Sequence, residues 1–249
     1  MYTELLFRKK GSGRIHAEDA RKLVASACDG FPVDPRVFNR GDDQKTIGLR
    51  YGDDRNGEGF GVPPRIVFDG GLDFLRIYGI GKQGSLLVDE AMPILFAALY
   101  RQGFIGADRK DGQMSLSSDM ERMRLYSIRR LVVAKRPDAC AGFVRKPVQD
   151  VSEIVSGIIL RGLTGMARML DEELAADGHP RRYEAEIPYR IDVLEGEPVP
   201  IPIKSGVLAA AYKNMVIAMP TKLSGPWSAG MLRSRGYGFV RLNNPTAEG

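Results

Sequence analysis

The chain has 249 residues, 43% hydrophobic and 27% charged, the balance of a globular protein with length for one large domain or two of about 120 residues. Its 36 Lys and Arg against 31 Asp and Glu give a formal charge of +5, which favours a polyanionic partner such as nucleic acid. Two cysteines, Cys28 and Cys140, and two histidines, His16 and His179, at unrelated spacings exclude a disulfide framework and a Cys/His metal site; no signal-peptide pattern or bilayer-length apolar run is present, so a soluble, cytoplasmic protein without a membrane partner is expected.

Tyr2 to Arg8 reads as a strand and Ala17 to Cys28 as a helix, with Glu18 and Asp19 favouring its N-terminus. Residues 30 to 62 are rich in Gly, Asp and Pro, with only Thr46 to Tyr51 strand-like, and such long loops are often functional. Arg65 to Phe68 and Phe74 to Tyr78 flank Asp69-Gly-Gly71, a hairpin signal. Ser85 to Gln102 is an amphipathic helix interrupted by Pro93, and Gln113 to Ser117 is the expected closing strand. The order strand, helix, strand, strand, helix, strand is the ferredoxin-like arrangement.

The second half starts the same way. Met123 to Lys135 is a long strand, Asp150 to Ala176 is helical by period despite Gly157, Gly162 and Gly165, and strands follow at Ala185 to Leu194, Val199 to Lys204, Lys213 to Met219 and Tyr237 to Leu242. The expected class is α+β: two tandem ferredoxin-like (βαββαβ) domains, residues 1–121 and 122–249, the second ending in a glycine-rich loop.

Charge is unevenly spread. Arg122, Arg124, Arg129, Arg130, Lys135, Arg136, Arg145 and Lys146 fall in one stretch with Asp138 as its only acid. No Asp or Glu lies between Pro198 and Ala247, where Lys204, Lys213, Lys222, Arg233, Arg235 and Arg241 do. Basic runs of this kind create a field that attracts polyanions.

Gly79-Ile-Gly81-Lys-Gln-Gly84 spells a dinucleotide fingerprint. Its strand belongs to a hairpin, not to a βαβ unit, and no acid ends a strand about 20 residues on, so a tight strand-to-helix turn is the better reading and no small-molecule cofactor is expected. Asp42-Asp43 and Asp53-Asp54 are adjacent pairs whose side chains diverge in extended backbone, so no metal is expected either.

The tail carries the strongest motif. Met215 to Pro220 is an apolar strand; Gly225-Pro-Trp-Ser-Ala-Gly230 opens a loop that closes in Ser234-Arg-Gly236-Tyr-Gly238-Phe-Val240. Glycines let a backbone approach a partner closely, and beside basic side chains the expected partner is a phosphate backbone. A penultimate strand, a glycine-rich loop ending in Ser-x-Gly-aromatic-Gly and a last strand resemble the C-terminal signature of the CRISPR repeat-processing endoribonucleases of the repeat-associated mystery protein superfamily. The matching piece covers roughly residues 213 to 242, and its loop is longer than the compact form of the signature.

The resemblance implies a metal-independent endoribonuclease that binds the stem-loop of a CRISPR repeat RNA and cuts at its base, leaving a 2′,3′-cyclic phosphate and staying on the product beside other effector subunits. The substrate's 2′-hydroxyl is then the nucleophile, and the protein must align it, move its proton and stabilise phosphorane charge. His16, between the first strand and first helix, stands where these enzymes often place a catalytic histidine; Arg21 and Arg36 offer forks for phosphate oxygens. RNA contacts are expected from Arg14, Arg40, Arg124, Arg129, Arg130, Arg136, Lys222, Gly230, Arg233, Arg235, Tyr237 and Arg241. The alternative is a non-catalytic subunit that caps or coats guide RNA.

Overall fold

The computed structural model describes residues 1–11, 13–38, 63–119, 122–135, 137–204 and 207–243. The expected strand at Thr46 to Tyr51 lies outside them, as do Arg40 and Arg136. Two compact units form: Met1–Gln113 with Ser234–Gly236, and Met114–Arg233 with the stretch from Tyr237 on.

In the first unit, β1 (Tyr2–Lys9), α1 (Ala17–Ala27), β2 (Ile66–Gly70), β3 (Phe74–Ile80), α2 (Gly81–Arg101) and β4 (Phe104–Gly112) build an antiparallel sheet in the order β2-β3-β1-β4. Strand alternation puts Leu5 and Phe7 of β1, and Leu75 and Ile77 of β3, on one face, where Ala20 and Val24 of α1 and Leu95 and Leu99 of α2 bury them. Helix α2 begins at Gly81, four residues before the expected start, and its glycines serve packing. A Cβ on Gly84 would stand 2.5 Å from the Arg65 carbonyl oxygen, so only glycine lets the helix lie this close to the strand.

The closing strand is β4, not residues 113 to 117. β4 is a sheet edge with exposed Asp108, Arg109, Lys110 and Asp111, which lacks the half-buried alternation of an inner strand. Residues Ser115–Ser118 instead form β5 of the second unit.

In that unit β6 (Arg124–Ala134), α3 (Pro137–Ala141), α4 (Ser152–Ala176), β7 (Asp192–Lys204), β8 (Val207–Met219), β9 (Thr221–Ser224) and β10 (Val240–Leu242) follow in turn. The main sheet runs β10-β6-β8-β7, the ferredoxin-like order again, while β5 and β9 pair as a small second sheet. Where the first unit has its second helix, this one has β9 and the glycine-rich loop.

Two expected strands, at Ala185 to Leu194 and Val199 to Lys204, are replaced by a 3₁₀ turn at Glu184–Glu186 and one continuous strand, β7. Pro198, Pro200 and Pro202 interrupt the alternation signal, yet they fit because β7 lies at the sheet edge, where missing N–H groups cost no ladder bonds. The buried Asp171 carboxylate of α4 accepts the backbone N–H groups of Arg182, Tyr183 and Glu184 at 2.7, 2.9 and 2.8 Å, fixing the turn before β7. Tyr183 donates to the Met114 carbonyl at 3.0 Å, and the fully buried Trp227 indole N–H lies 3.1 and 3.0 Å from the carbonyls of Ser115 and Ser224. These bonds hold the β5–β9 sheet, from which the glycine-rich loop departs.

Candidate functional site

The residues that could act on RNA begin just before α1. The Gly13 N–H bonds the Asp73 carboxylate at 2.6 Å, the Asp73 N–H bonds the Gly13 carbonyl at 3.1 Å, and the Ile15 N–H bonds the Gly71 carbonyl at 2.9 Å. The β2–β3 hairpin tip therefore pins the segment leading to His16. His16 is the N-cap of α1 in extended backbone conformation; its carbonyl accepts from the N–H groups of Asp19 and Ala20 at 3.0 and 3.1 Å. Its side chain is exposed and makes no cap hydrogen bond, so the fold fixes the residue's backbone without enlisting the ring. Arg14 is exposed two residues earlier, in a bridge to Leu72.

Arg21, one turn into α1, is half-buried and its guanidinium donates to the Phe38 carbonyl. Phe38 ends the 3₁₀ turn Pro35–Phe38, which is anchored by buried Val37 and Phe38, the latter ring stacked on Phe68 at 6.1 Å. Arg36 stands exposed on that same turn. Its N–H bonds Asp34 Oδ1 at 2.8 Å, and its Nε and Nη2 bond Asp34 Oδ2 at 2.9 and 2.6 Å. Arg21 thus anchors the short turn that carries Arg36.

The first unit also holds residues 234–236 of the tail. Gly236, at φ +79°, packs so closely that a Cβ would stand 2.5 Å from the Phe68 carbonyl oxygen and 2.9 Å from Ala17 Cβ. Ala17 follows His16 directly. Half-buried Arg235 is therefore carried to the start of α1, a proximity with no local signal in the sequence.

In the second unit the arginines of β6 separate by strand parity. Arg124 is half-buried and braced by Asp119 at 2.6 Å, and Arg130 is half-buried opposite Lys213, whose ammonium pairs with Glu197 at 2.9 Å. Arg129 is exposed, as is Arg241 of β10. Arg241 lies opposite Ser127, so by the pleat it shares a face with Arg129, two residues along β6, and its guanidinium sits 5.6 Å from the Phe239 ring centroid. Lys222 is exposed on β9. Two cations on one strand face are expected to act additively on a bound phosphate backbone. Arg129→Ala and Arg241→Ala are each expected to weaken repeat-RNA binding and to lower the slope of log affinity against log salt by about 1, read from titrations at several salt concentrations.

Gly230, Arg233 and Tyr237 face protein. A Cβ on Gly230 would stand 2.6 Å from Leu131 Cδ1 and 2.8 Å from the Val132 carbonyl oxygen. Tyr237 is buried with Val132, Ala209 and Ala211. Arg233 is 6% exposed and donates to the Gly162 carbonyl of α4 at 3.3 Å; burial pushes its guanidinium down to about 10, which leaves it charged at neutral pH. In the loop interior the glycines admit the chain's own backbone. His179 is exposed beyond α4, away from any of these groupings in sequence and in its own contacts.

Among the described residues no group of three or more His, Cys, Asp or Glu could hold a metal ion, and no helix is long and apolar enough to cross a membrane. The first unit offers an exposed histidine at the start of α1 and an arginine of that helix bonded to the turn bearing Arg36, and the second unit a basic strand face.

Two sheets of ferredoxin-like order, with a glycine-rich loop in the second unit, form the fold that the solved Cas6-type structures share. The chain belongs to the family described as type IV CRISPR-associated endonuclease Csf5, whose profile matches residues 1–245. Among solved structures it is similar to one titled "Csf5, CRISPR-Cas type IV Cas6 crRNA endonuclease", with a TM-score of 0.64, 18% identity and coverage of 98% of this chain and 99% of that one. A Cas6b crystal structure gives a TM-score of 0.61 at 14% identity, covering 98% and 100%. At these identities the likeness is one of fold. Comparison with curated protein sequences gave no match.

Proposed function

We propose that this endonuclease matures CRISPR RNA by binding the repeat stem-loop and cleaving at its base through attack of the substrate's own 2′-hydroxyl, without a metal ion. The observation that carries this reading is the exposed His16 at the start of α1, with Arg21 of the same helix bonded to the turn 35–38 that bears Arg36. In it, exposed His16 takes the 2′-hydroxyl proton, while Arg21 and Arg36 stabilise the charge that builds on the phosphorane. Arg129, Arg241 and Lys222 hold the repeat backbone, with Arg14 and Arg235 contributing near the cut. The products are a 2′,3′-cyclic phosphate and a 5′-hydroxyl, and the protein stays on the processed guide as an effector subunit.

The test uses end-labelled repeat RNA in excess EDTA, beside a copy with a 2′-deoxy at the scissile nucleotide. One cut in the first that vanishes in the second is the expected result. Cutting of the deoxy substrate, or cutting only with added metal, overturns the mechanism. Tight binding without cutting would make the protein a guide-coating subunit.

A further inference from the structure

The Asp34 carboxylate uses both oxygens on one residue. Oδ1 takes the Arg36 backbone N–H at 2.8 Å, and Oδ2 takes Nε and Nη2 of the same arginine at 2.9 and 2.6 Å. A solvent-exposed ion pair contributes little to stability, because screening and side-chain entropy offset its Coulombic gain. It does fix direction. A guanidinium has three edges, and with the Nε–Nη2 edge turned to Asp34 the plane of the group is set by the Pro35–Phe38 turn. Pro35, between the two, holds its own φ near −65° and so shortens the freedom of the link. The turn is in turn fixed by buried Val37 and Phe38 and by the Arg21 bond to the Phe38 carbonyl. The Arg36 hydrogen bonds, with its charge close by, hold the Asp34 carboxyl below the usual carboxylate range, so it remains ionised through the working pH range.

We propose that Asp34 is a positioning residue for RNA cleavage, holding the Arg36 guanidinium in the orientation in which it meets the scissile phosphate. The proposal rests on the reading above that Arg36 acts at that phosphate. Preorientation matters there because an arginine that must be immobilised during the reaction gives back part of its stabilisation of the transition state. Phosphate then meets an arginine already held, and Asp34 itself touches no substrate.

Asp34→Asn separates the two jobs of the carboxylate. The amide oxygen can still take the Arg36 N–H and keep the turn, while its NH₂ group, a donor, cannot accept from Nε and Nη2. Single-turnover cleavage of repeat RNA by Asp34→Asn is expected to fall about 10-fold or more, with RNA affinity within about 2-fold and the melting temperature within a degree or two of wild type. Asp34→Ala should show the same rate loss. In an Arg36→Ala background, Asp34→Asn should cost nothing further, since the arginine it orients is gone. Wild-type or faster cleavage by Asp34→Asn, or an equal loss in both backgrounds, overturns the positioning role while leaving Arg36 in place. A rate loss confined to Asp34→Ala and accompanied by a lower melting temperature reduces Asp34 to a turn former. Undiminished cleavage by Arg36→Ala itself overturns both readings.

Discussion

Replacing His16 with Ala is expected to slow single-turnover cleavage of repeat RNA by about 10²- to 10⁴-fold, the range for loss of a positioned general base, and to leave binding within a few-fold of wild type. Affinity should survive because the exposed imidazole makes no hydrogen bond that caps α1, so its removal leaves the helix start intact. Arg21→Ala and Arg36→Ala are expected to lose about 10²- to 10³-fold each, as for single donors that stabilise developing charge. Wild-type rates in His16→Ala together with loss in the arginine variants would move the proton step off histidine and leave an arginine-based site.

Gly238→Ala is expected to be the most damaging small change in the glycine-rich loop. Gly238 sits at φ +77°, and an ideal Cβ there would stand 1.9 Å from the Ala229 carbonyl oxygen. The left-handed backbone costs an L-residue about 1–2 kcal/mol, and forced repacking adds about 1–3 kcal/mol. The obstructing atom is main chain in a paired segment: the Ala229 N–H bonds the Gly238 carbonyl at 2.9 Å, and the Gly238 N–H bonds the Arg130 carbonyl of β6 at 2.8 Å. It cannot rotate away as a side chain would. A loss of roughly 5–15 °C in melting temperature follows from about 2–4 °C per kcal/mol at this chain length, measured by thermal unfolding. Gly178→Ala supplies the comparison. Its φ is +78°, but nothing lies within 4 Å of its ideal Cβ, so only the backbone term remains and the drop should stay near 2–5 °C. Equal shifts in the two variants would refute the packing role assigned to Gly238.

How far the sequence carries depends on how local the deciding interaction is. β1, β3 and the hairpin around Asp69-Gly-Gly71 follow from alternation and turn chemistry within a few residues, and all three survive in the structure at nearly the expected bounds. β4 does not, because its Gly106, Asp108 and Asp111 suit a strand only at a sheet edge, and being an edge is a property of the assembled sheet. The start of α2 is hidden by Gly81 and Gly84, residues poor for an isolated helix; here Gly81 sits at φ +72° and Gly84 is required by close contact with Arg65 and Gly79. At the candidate site, the chain position of His16 before a helix was legible. The meeting of Arg21 with the Phe38 carbonyl, and of Gly236 with Ala17 some 200 residues away in sequence, was not. Glycine enrichment in the tail announces close approach but not its object: at Gly230 and Gly238 the object is the protein's own main chain.

The prolines of β7 have a consequence for assembly. Pro198, Pro200 and Pro202 share one strand parity, while Val199 and Ile201 alternate with them against β8. Along that stretch the outward side of the strand presents carbonyl oxygens with no N–H between them. A foreign strand laid there would meet acceptors alone, and half of any new ladder would go unmade. The sheet is thereby terminated chemically: a neighbouring subunit or a second copy of the chain can touch this margin through side chains, but cannot extend it by adding a strand.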